Sequence, residues 1–253
     1  MELQKLYSYV RKSIDAYGMI QEGDHIAVGI SGGKDSLTLL YALAGLRRFY
    51  PDKFSLTGIS VHPGWPDMDF SPVHALCETL EVPYEVVGTR IAQIVFDERR
   101  EKHPCSLCAK LRKGALNERA LALGCNKVAY AHHRDDFVET FLLSLTREGR
   151  IASLSPQFEL ARTGLVVIRP LMLVPEARIK GFCRKYCLPV VKNTCPADGN
   201  TAREDMKRLL EVLQRDNLEI RSRIFTAILH AGFEDWMKTD TDCEKEKNLW
   251  RKK

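Results

Sequence analysis

The chain has 253 residues and a formal charge of +5, from 38 Lys and Arg against 33 Asp and Glu. Its 45% hydrophobic and 28% charged residues are typical of a folded globular protein and exclude a disordered chain, a collagen and a small disulfide scaffold. No apolar run approaches the ~20 residues of a membrane span, and the N-terminus lacks the apolar segment of a signal peptide, so we expect a cytoplasmic protein that uses no membrane. In a reducing compartment the eight cysteines argue against disulfides and leave metal binding or catalysis open.

Predicted strands and helices alternate along most of the chain. An amphipathic helix over residues 1–22 precedes a short β-branched strand, His25–Ile30. The alternation predicts an α/β fold, an open and mostly parallel sheet with helices on both faces. Ligands of such sheets bind beyond the carboxyl ends of the strands, where Ser31, His62 and His132 fall. The other predicted helices cover 37–50, 72–80, 107–123, 135–146, 176–186 and 201–229, the last of these as two helices joined near 216–217; strands are predicted at 56–61, 84–87 and 127–131, strand and turn at 156–170, and a strand-like run at 188–191.

The first strand runs directly into the hexapeptide Ser31-Gly-Gly-Lys-Asp-Ser36. Two glycines allow a tight turn whose N–H groups approach a ligand, and the following helix adds the partial positive charge of its N-terminus. The spacing is neither a Walker A loop nor a Gly-x-Gly-x-x-Gly motif, and an ordinary strand-to-helix turn is the alternative. In this position the hexapeptide resembles the PP-loop of the ATP-pyrophosphatase superfamily, whose members bind ATP and release pyrophosphate. The resemblance implies an ATP-binding role for Ser31, Gly32, Gly33, Lys34, Asp35 and Ser36.

A second polar segment, His132-His-Arg-Asp-Asp136, follows the strand at 127–131 and opens another helix. Paired carboxylates at this edge of a sheet are natural ligands of Mg²⁺ or orienting groups for a substrate. An aspartate at a helix start is also a common cap, so we expect one of Asp135 and Asp136 to do only that. The segment is similar to the second PP-loop signature, shared by tRNA-lysidine synthetases and tRNA 2-thiocytidine synthetases. Its continuation, Phe137-Val-Glu-Thr140, favours the lysidine enzymes.

Three cysteines are candidates for a metal site. Cys105-Ser-Leu-Cys108 is predicted to lie in a loop after Pro104 that leads into a basic helix, and Cys195 lies in a later loop. The alternatives for the close pair are half of a zinc site, a thioredoxin-like pair or core thiols. Its position before the fourth strand disfavours the thioredoxin-like pair, and a Cys₄ zinc site lacks a second close pair. Three thiolates would suit an iron–sulfur cluster with one iron open to another ligand, but the spacing alone does not establish it.

The segment from Cys105 to Gly114 resembles the Cys-x-x-Cys-x-x-Leu-Arg-x-Gly segment of tRNA 2-thiocytidine synthetases. Pro63-Gly-Trp-Pro66 and Ile168-Arg-Pro-Leu171 are similar to two further segments of that family, and the resemblance extends from about residue 24 to about residue 210. It implies a [4Fe–4S] cluster held by Cys105, Cys108 and Cys195. The other five cysteines are assigned no function: Cys77, Cys125, Cys183, Cys187 and Cys243.

The chain departs from that family at two places. Lys192 stands where the family has the first cysteine of a second pair, and Arg147-Glu-Gly-Arg150 replaces a Gly-Gly-Lys-Met stretch. These departures bear on the tRNA substrate more than on the chemistry. No terminal zinc module is visible in the sequence, which disfavours the related 2-thiouridine enzymes.

The resemblance implies a reaction in which the C2 oxygen of a tRNA cytidine attacks the α-phosphorus of ATP. Mg²⁺ would lie near Asp35 or the catalytic Asp135, and adenine would lie over the strand ends at Val61 and Ala131. Release of AMP would then let sulfur, carried by the cluster, replace oxygen at C2. Arg112 is the candidate for stabilising the developing charge, with Lys113 as the alternative.

The implied partners are tRNA and a sulfur donor, either sulfide or a cysteine desulfurase system, and a homodimer is left open. Two rival functions remain, a tRNA-lysidine synthetase and an ATP- or metal-binding protein without tRNA chemistry. The predicted organisation is an N-terminal helix at 1–23, a PP-loop ATPase domain at 24–195, a helical extension at 196–237 and a flexible tail at 238–253. Contacts to tRNA phosphates are predicted for Arg99, Arg100, Lys102, Lys110, Lys113, Arg203, Lys207 and Arg208.

Overall fold

The structure is a computed structural model that describes residues 1–99, 104–192, 194–195 and 202–231. The predictions for Arg100, Lys102, Cys243 and the tail at 238–253 lie outside the described residues. Within the described ranges, no helix combines the length and apolar character needed to cross a membrane.

Six strands form one sheet in the order β3-β2-β1-β4-β6-β5. All neighbouring strands pair in parallel except β5, which is antiparallel to β6. The predicted fold class is therefore confirmed. The strands are β1 (His25–Gly29), β2 (Ser55–His62), β3 (Tyr84–Gly88), β4 (Lys127–Ala129), β5 (Gln157–Glu159) and β6 (Val166–Ile168).

Helices cover both faces of the sheet, and the central strands are therefore buried on both sides. On one face, Leu6, Leu40 and Phe137 belong to a large apolar core, and on the other Val95 and Leu116 belong to a smaller one. The helices are α1 (Leu3–Tyr17), α2 (Lys34–Leu46), α3 (Ser71–Thr79), α4 (Pro104–Ala122), α5 (Arg134–Arg147), α6 (Glu176–Lys185), α7 (Ala202–Asp216) and α8 (Ile220–His230), with a π-helical segment at Gln93–Glu98.

Three local expectations are corrected. Helix α1 ends at Tyr17 rather than at residue 22, because Gly18 adopts the left-handed conformation that ends helices, with φ 56°. Helix α4 begins at Pro104, so the two cysteines of the close pair lie in its first two turns and not in a loop. Proline suits the first helical position because a backbone N–H there would have no partner within the helix. Residues 188–191 form no strand.

Helices α7 and α8 pack against α5, at the carboxyl edge of the sheet. The ring centroids of Phe137 on α5 and Phe225 on α8 lie 6.0 Å apart, edge to face. Met206 and Leu210 of α7 are buried in the same core. The C-terminal helices therefore lie directly beside the segment 132–136.

Candidate functional site: a phosphate loop beside three thiols

The phosphate loop between β1 and α2 is held by its own serines. The Ser36 hydroxyl donates to the Gly33 carbonyl oxygen at 2.9 Å and accepts from the Ser31 N–H at 3.1 Å. Gly32 has φ 81°, a left-handed conformation that favours glycine. The turn is thus held in shape by hydrogen bonds within it, with the N-terminus of α2 directed at it.

The segment before Cys195 is tied to this loop. The Val191 N–H donates to the Gly32 carbonyl oxygen at 2.9 Å. A Cβ on Gly32 would lie 2.7 Å from the Val191 Cβ, closer than two carbon atoms can approach. Val191 precedes Cys195 by four residues, so one short segment joins the phosphate loop to the third cysteine.

Lys34 lies between two carboxylates. Its ammonium is 2.9 Å from Asp35 Oδ2 and 3.1 Å from Glu176 Oε1 at the start of α6. Burial opposes the charge on Lys34, but the two carboxylates outweigh it and raise the pKa of Lys34. Burial likewise opposes ionisation of Glu176, yet Lys34 and Lys180 lower the pKa of Glu176 to about 2. Lys34 is therefore a fixed positive charge beside the phosphate loop.

Asp35 carries an oxygen that suits a cation. Its Oδ1 is buried and accepts no hydrogen bond from a described residue, and His133 Nε2 lies 3.7 Å from it. A buried carboxylate oxygen without a donor is costly unless a cation or water lies against it. Oxygen is also the ligand that Mg²⁺ prefers, so the Asp35 carboxylate fits the predicted magnesium site.

Both aspartates of the second segment act as helix caps. Asp136 Oδ2 accepts the His133 N–H at 2.8 Å, which closes the first turn of α5. Asp135 Oδ2 accepts the Glu176 N–H at 2.8 Å and so caps α6, while its Oδ1 lies 3.4 Å from the Arg221 guanidinium. Capping is thus observed for both aspartates, and the expectation that one of them does nothing else stays a prediction. With both Asp135 oxygens engaged, Asp35 is the more available oxygen ligand.

A cleft beside the loop is lined mainly by apolar groups. Val61 lines it, whereas Ala131 lies outside the lining and packs against the larger core. Arg112 and Lys113 of α4 line the opposite wall. The remaining lining residues are Gly29, Ile30, Ser31, Ile59, Ala109, Leu116 and Tyr130. A flat apolar slot next to a phosphate loop can hold a nucleobase.

The three candidate thiols lie around the start of α4. Cys105 is exposed, Cys108 and Cys195 are half-buried, and none of the three forms a disulfide. Burial is the main cause that raises the pKa of Cys108; Arg112 opposes it, and the nearby charges of Cys195 and Cys105 raise it further. Cys108 therefore interacts electrostatically with Cys195 as well as with its neighbour Cys105, although Cys195 is distant in sequence.

These thiols fit a cluster better than a single ion. Among the residues described, no three His, Cys, Asp or Glu side chains are placed to hold one metal ion. In a [4Fe–4S] cluster each thiolate binds a different iron, so the ligands need not converge on one point. The influence of both Cys105 and Cys195 on Cys108 agrees with that looser requirement.

Several site residues were missed by sequence reasoning. The sequence indicates Arg169 only as part of a segment similar to the family and Tyr130 only as part of a strand. Glu176 and Arg221 are predicted only to lie in helices. Tyr130 lines the cleft and Arg221 reaches Asp135. The one available signal was that Tyr130 and Arg169 each directly follow a strand end, where ligands of parallel sheets bind.

The predicted tRNA-contacting cations divide into two groups. On α7, Arg203 pairs with Asp136, Lys207 with Glu204 and Arg208 with Asp205. The other group forms no ion pair with any residue that the structure describes, and it comprises Arg99, Lys110 and Lys113. The unpaired cations are the better candidates for phosphate contacts.

An open parallel sheet with a glycine–serine phosphate loop at the end of its first strand defines a nucleotide-binding α/β protein. The comparisons with known proteins narrow this class. The PP-loop domain family model matches residues 4–213. A protein of Geobacter sulfurreducens called tRNA-cytidine(32) 2-sulfurtransferase is 36% identical over 228 residues, covering 89% of each chain. One of the same name from Pelobacter propionicus is 39% identical, covering 89% of this chain and 85% of the relative.

The chain therefore belongs to the PP-loop domain family, in the group of the tRNA-cytidine(32) 2-sulfurtransferases. Among solved structures, the U34-tRNA thiolase NcsA of Methanococcus maripaludis, determined with its [4Fe–4S] cluster, superposes with a TM-score of 0.74. It is 23% identical, and the match covers 90% of this chain and 78% of that one. At this identity the likeness shows the fold.

Proposed function

We propose that this protein is an ATP-dependent tRNA sulfurtransferase that converts cytidine at position 32 to 2-thiocytidine. The observation that carries the proposal is the placement of Cys105 and Cys108 at the start of α4, the helix whose Arg112 and Lys113 line the cleft beside the phosphate loop, with Val191 hydrogen-bonded to Gly32. This arrangement supports a site in which a nucleotide phosphate and a set of sulfur ligands would share one edge of the sheet. The names of the relatives supply the substrate class.

ATP would bind with its phosphates on the loop from Ser31 to Ser36 and its base in the slot lined by Val61. Lys34 and the N-terminus of α2 would hold the negative charge of the phosphates, and Asp35 would hold Mg²⁺. Asp135 would keep α6, and through it Glu176, in position beside Lys34. This assigns Asp135 a positioning role in addition to the catalytic role predicted for it.

The C2 oxygen of the cytidine would attack the α-phosphorus, and the bond to pyrophosphate would break. Attaching AMP turns the poor oxygen leaving group at C2 into a good one. Because this attachment releases pyrophosphate, the site must stabilise the pyrophosphate as it departs. Arg112 makes no hydrogen bond or ion pair with a described residue and lies beside Cys108, so it is free to stabilise the charge that develops, with Lys113 next to it.

A [4Fe–4S] cluster on Cys105, Cys108 and Cys195 would supply the sulfur when bound. The chain would act on tRNA in the cytoplasm, with sulfide or a cysteine desulfurase system as the source of that sulfur. A homodimer stays a prediction that the single chain leaves open.

The test is mass spectrometry of tRNA nucleosides from cells that lack the protein. Expression of the wild-type chain should restore 2-thiocytidine, and the C105S chain should not. The matched control is C187S. Cys187 is also an exposed free thiol, but it follows α6 in the chain and is not one of the three proposed cluster ligands. Loss of lysidine in place of 2-thiocytidine would identify a lysidine synthetase, and an unchanged nucleoside profile would leave an ATP- or metal-binding protein.

A further inference from the structure

A buried arginine lies at the carboxyl end of β6 without a carboxylate partner. Arg169 is 5% exposed, and its guanidinium stacks on the Phe158 ring with 5.2 Å between the charge centre and the ring centroid. Its terminal nitrogen Nη1 donates to the Ser155 carbonyl oxygen, and its Nε donates to His132 Nδ1 at 3.1 Å. Among the described residues no Asp or Glu forms an ion pair with it, and Nη2 has no acceptor. A buried guanidinium without an anion is costly.

His132 is fixed as a further hydrogen-bond donor. The Nε–H of arginine only donates, so His132 Nδ1 must accept, and a neutral ring then carries its proton on Nε2. Burial first, and then Arg169, Lys113 and Arg203, lower the pKa of His132 well below its usual value, so the ring is neutral. Its Nε2–H has no acceptor among the residues that the structure describes.

Lys113 adds an ammonium to the same place. Its Nζ lies 5.8 Å from the centroid of the Tyr130 ring, and the Tyr130 and His132 rings are 6.0 Å apart. Burial, and then Arg169 and Arg203, lower the pKa of Lys113. The ammonium of Lys113 is thus destabilised by two guanidinium groups, and within the described ranges Lys113 forms no ion pair with a carboxylate.

We propose that Lys113, His132 and Arg169 form a second anion site, separate from the phosphate loop, that binds a phosphate group. Arg169 and His132 are hydrogen-bonded and Lys113 lies over the adjacent Tyr130 ring, so three donors lie close together, and none of them forms an ion pair with a described residue. The charge of Asp136 acts on Arg169 without forming an ion pair with it. This set of donors suits a tetrahedral oxyanion. The site adjoins the cleft through Lys113 and Tyr130, which line both. Taking the proposed function, we identify the occupant as the phosphodiester of the tRNA nucleotide that enters the cleft; a phosphate of ATP has the same chemistry and is the other source.

The experiment measures equilibrium binding without sulfur transfer, so its outcome is independent of thiolation. The full-length variants R169Q and K113Q are titrated with unmodified tRNA over a range of salt concentrations, and separately with a fluorescent ATP analogue. Each variant should bind tRNA about tenfold more weakly, as expected for one charge-assisted contact. The slope of log affinity against log salt should flatten by about 1. R169Q should leave ATP affinity within twofold, whereas Lys113 lines the nucleotide cleft, so K113Q is compared for tRNA affinity.

The matched controls are R162Q, an exposed arginine in the turn before β6, and K5Q, an exposed lysine on α1. Neither should move tRNA or ATP affinity. If both variants lose ATP affinity while tRNA affinity is unchanged, the bound anion is a phosphate of ATP. That result would support the anion site and replace tRNA with ATP as its occupant. Unchanged binding of both ligands would overturn the proposal. Because Arg169 is buried, the folding of R169Q is checked by thermal unfolding. If R169Q does not fold, the K113Q variant still tests the proposal.

Discussion

Asp135 and Arg221 lie 86 residues apart in sequence, and their side chains approach to 3.4 Å. Both are largely shielded, with side-chain exposures of 7% for Asp135 and 16% for Arg221. Arg221 belongs to α8, beyond the 4–213 span that matches the PP-loop domain family. A residue outside the family domain therefore neutralises a carboxylate of the nucleotide-binding signature.

This pairing predicts that α8 stabilises the site region. R221Q should lower the free energy of unfolding by about 2 kcal/mol, since it removes the nearer of the two guanidinium groups beside the buried Asp135 carboxylate and leaves Arg134 at 4.0 Å. Urea unfolding measures the change. The control is R223Q on the same helix, whose exposed pair with Glu219 at 3.7 Å should contribute little. Equal destabilisation by the two variants would show that Asp135 does not depend on Arg221.

Replacement of Gly32 should disrupt ATP binding by forcing the loop away from Val191. G32A places a methyl group 2.7 Å from the Val191 Cβ in a backbone with φ 81°, so either the loop or the segment before Cys195 must move. We expect ATP affinity to fall at least about tenfold. G23A is the matched control, because Gly23 has φ 84° but open space around its Cβ. It should cost about 1 kcal/mol of stability and leave ATP affinity unchanged.

The buried side chain of Glu139 should make the stability of the folded protein depend on pH. It is 1% exposed, and neither carboxylate oxygen has a hydrogen-bond partner in the described part of the chain. Burial first, and then Asp136, raise the pKa of Glu139 to about 7 against the opposing charges of Lys207 and Arg203; Asp135 raises it further.

Because the folded pKa of Glu139 lies above the ordinary 4.5, the native state holds its proton more tightly than the unfolded state. Stability from this group is complete below pH 4.5 and is lost as pH rises to about 7, by roughly 3 kcal/mol in total. Urea unfolding of E139Q across this range should show a correspondingly smaller decline with pH than the wild type. The exposed Glu118 supplies the control E118Q, which should retain the wild-type decline; a wild-type slope in E139Q would contradict the prediction.

The thiols should respond differently to iron and sulfide. Loading under anaerobic conditions should protect Cys105, Cys108 and Cys195 from alkylation, as measured by peptide mass spectrometry, because their sulfur atoms become cluster ligands. Exposed Cys187 should be alkylated equally before and after loading and serves as the internal control. Equal protection of Cys187, or no protection of Cys195, would argue against this ligand set.

Cys77 and Cys125 should resist alkylation at pH 8 with or without iron. Both are buried, and burial raises the pKa of Cys77 to about 12 and that of Cys125 to about 11, so neither forms the reactive thiolate. Rapid labelling of either one in the folded protein would contradict this.

Much of the fold could be predicted from the sequence because periodicity is local. The apolar run before Ser31 and the helix after it place the phosphate loop at a strand end, and the position of 132–136 follows in the same way. The start of α4 was misplaced because Pro104 reads as a break in the chain but can equally begin a helix. The run at 188–191 has the composition of a strand, but it does not join the sheet. Its backbone is hydrogen-bonded to the phosphate loop instead.

The sequence by itself determined the α/β class, the phosphate loop and the three cysteines, since each depends on residues that are close along the chain. Only the tertiary structure decided that Arg221 reaches Asp135, that Val191 holds Gly32, and that Arg169 lacks a carboxylate among the described residues. These contacts join segments far apart in sequence, and no spacing in the chain encodes them. The packing of the helices over the sheet sets both the distances and the burial, and these in turn set the charge that each group carries.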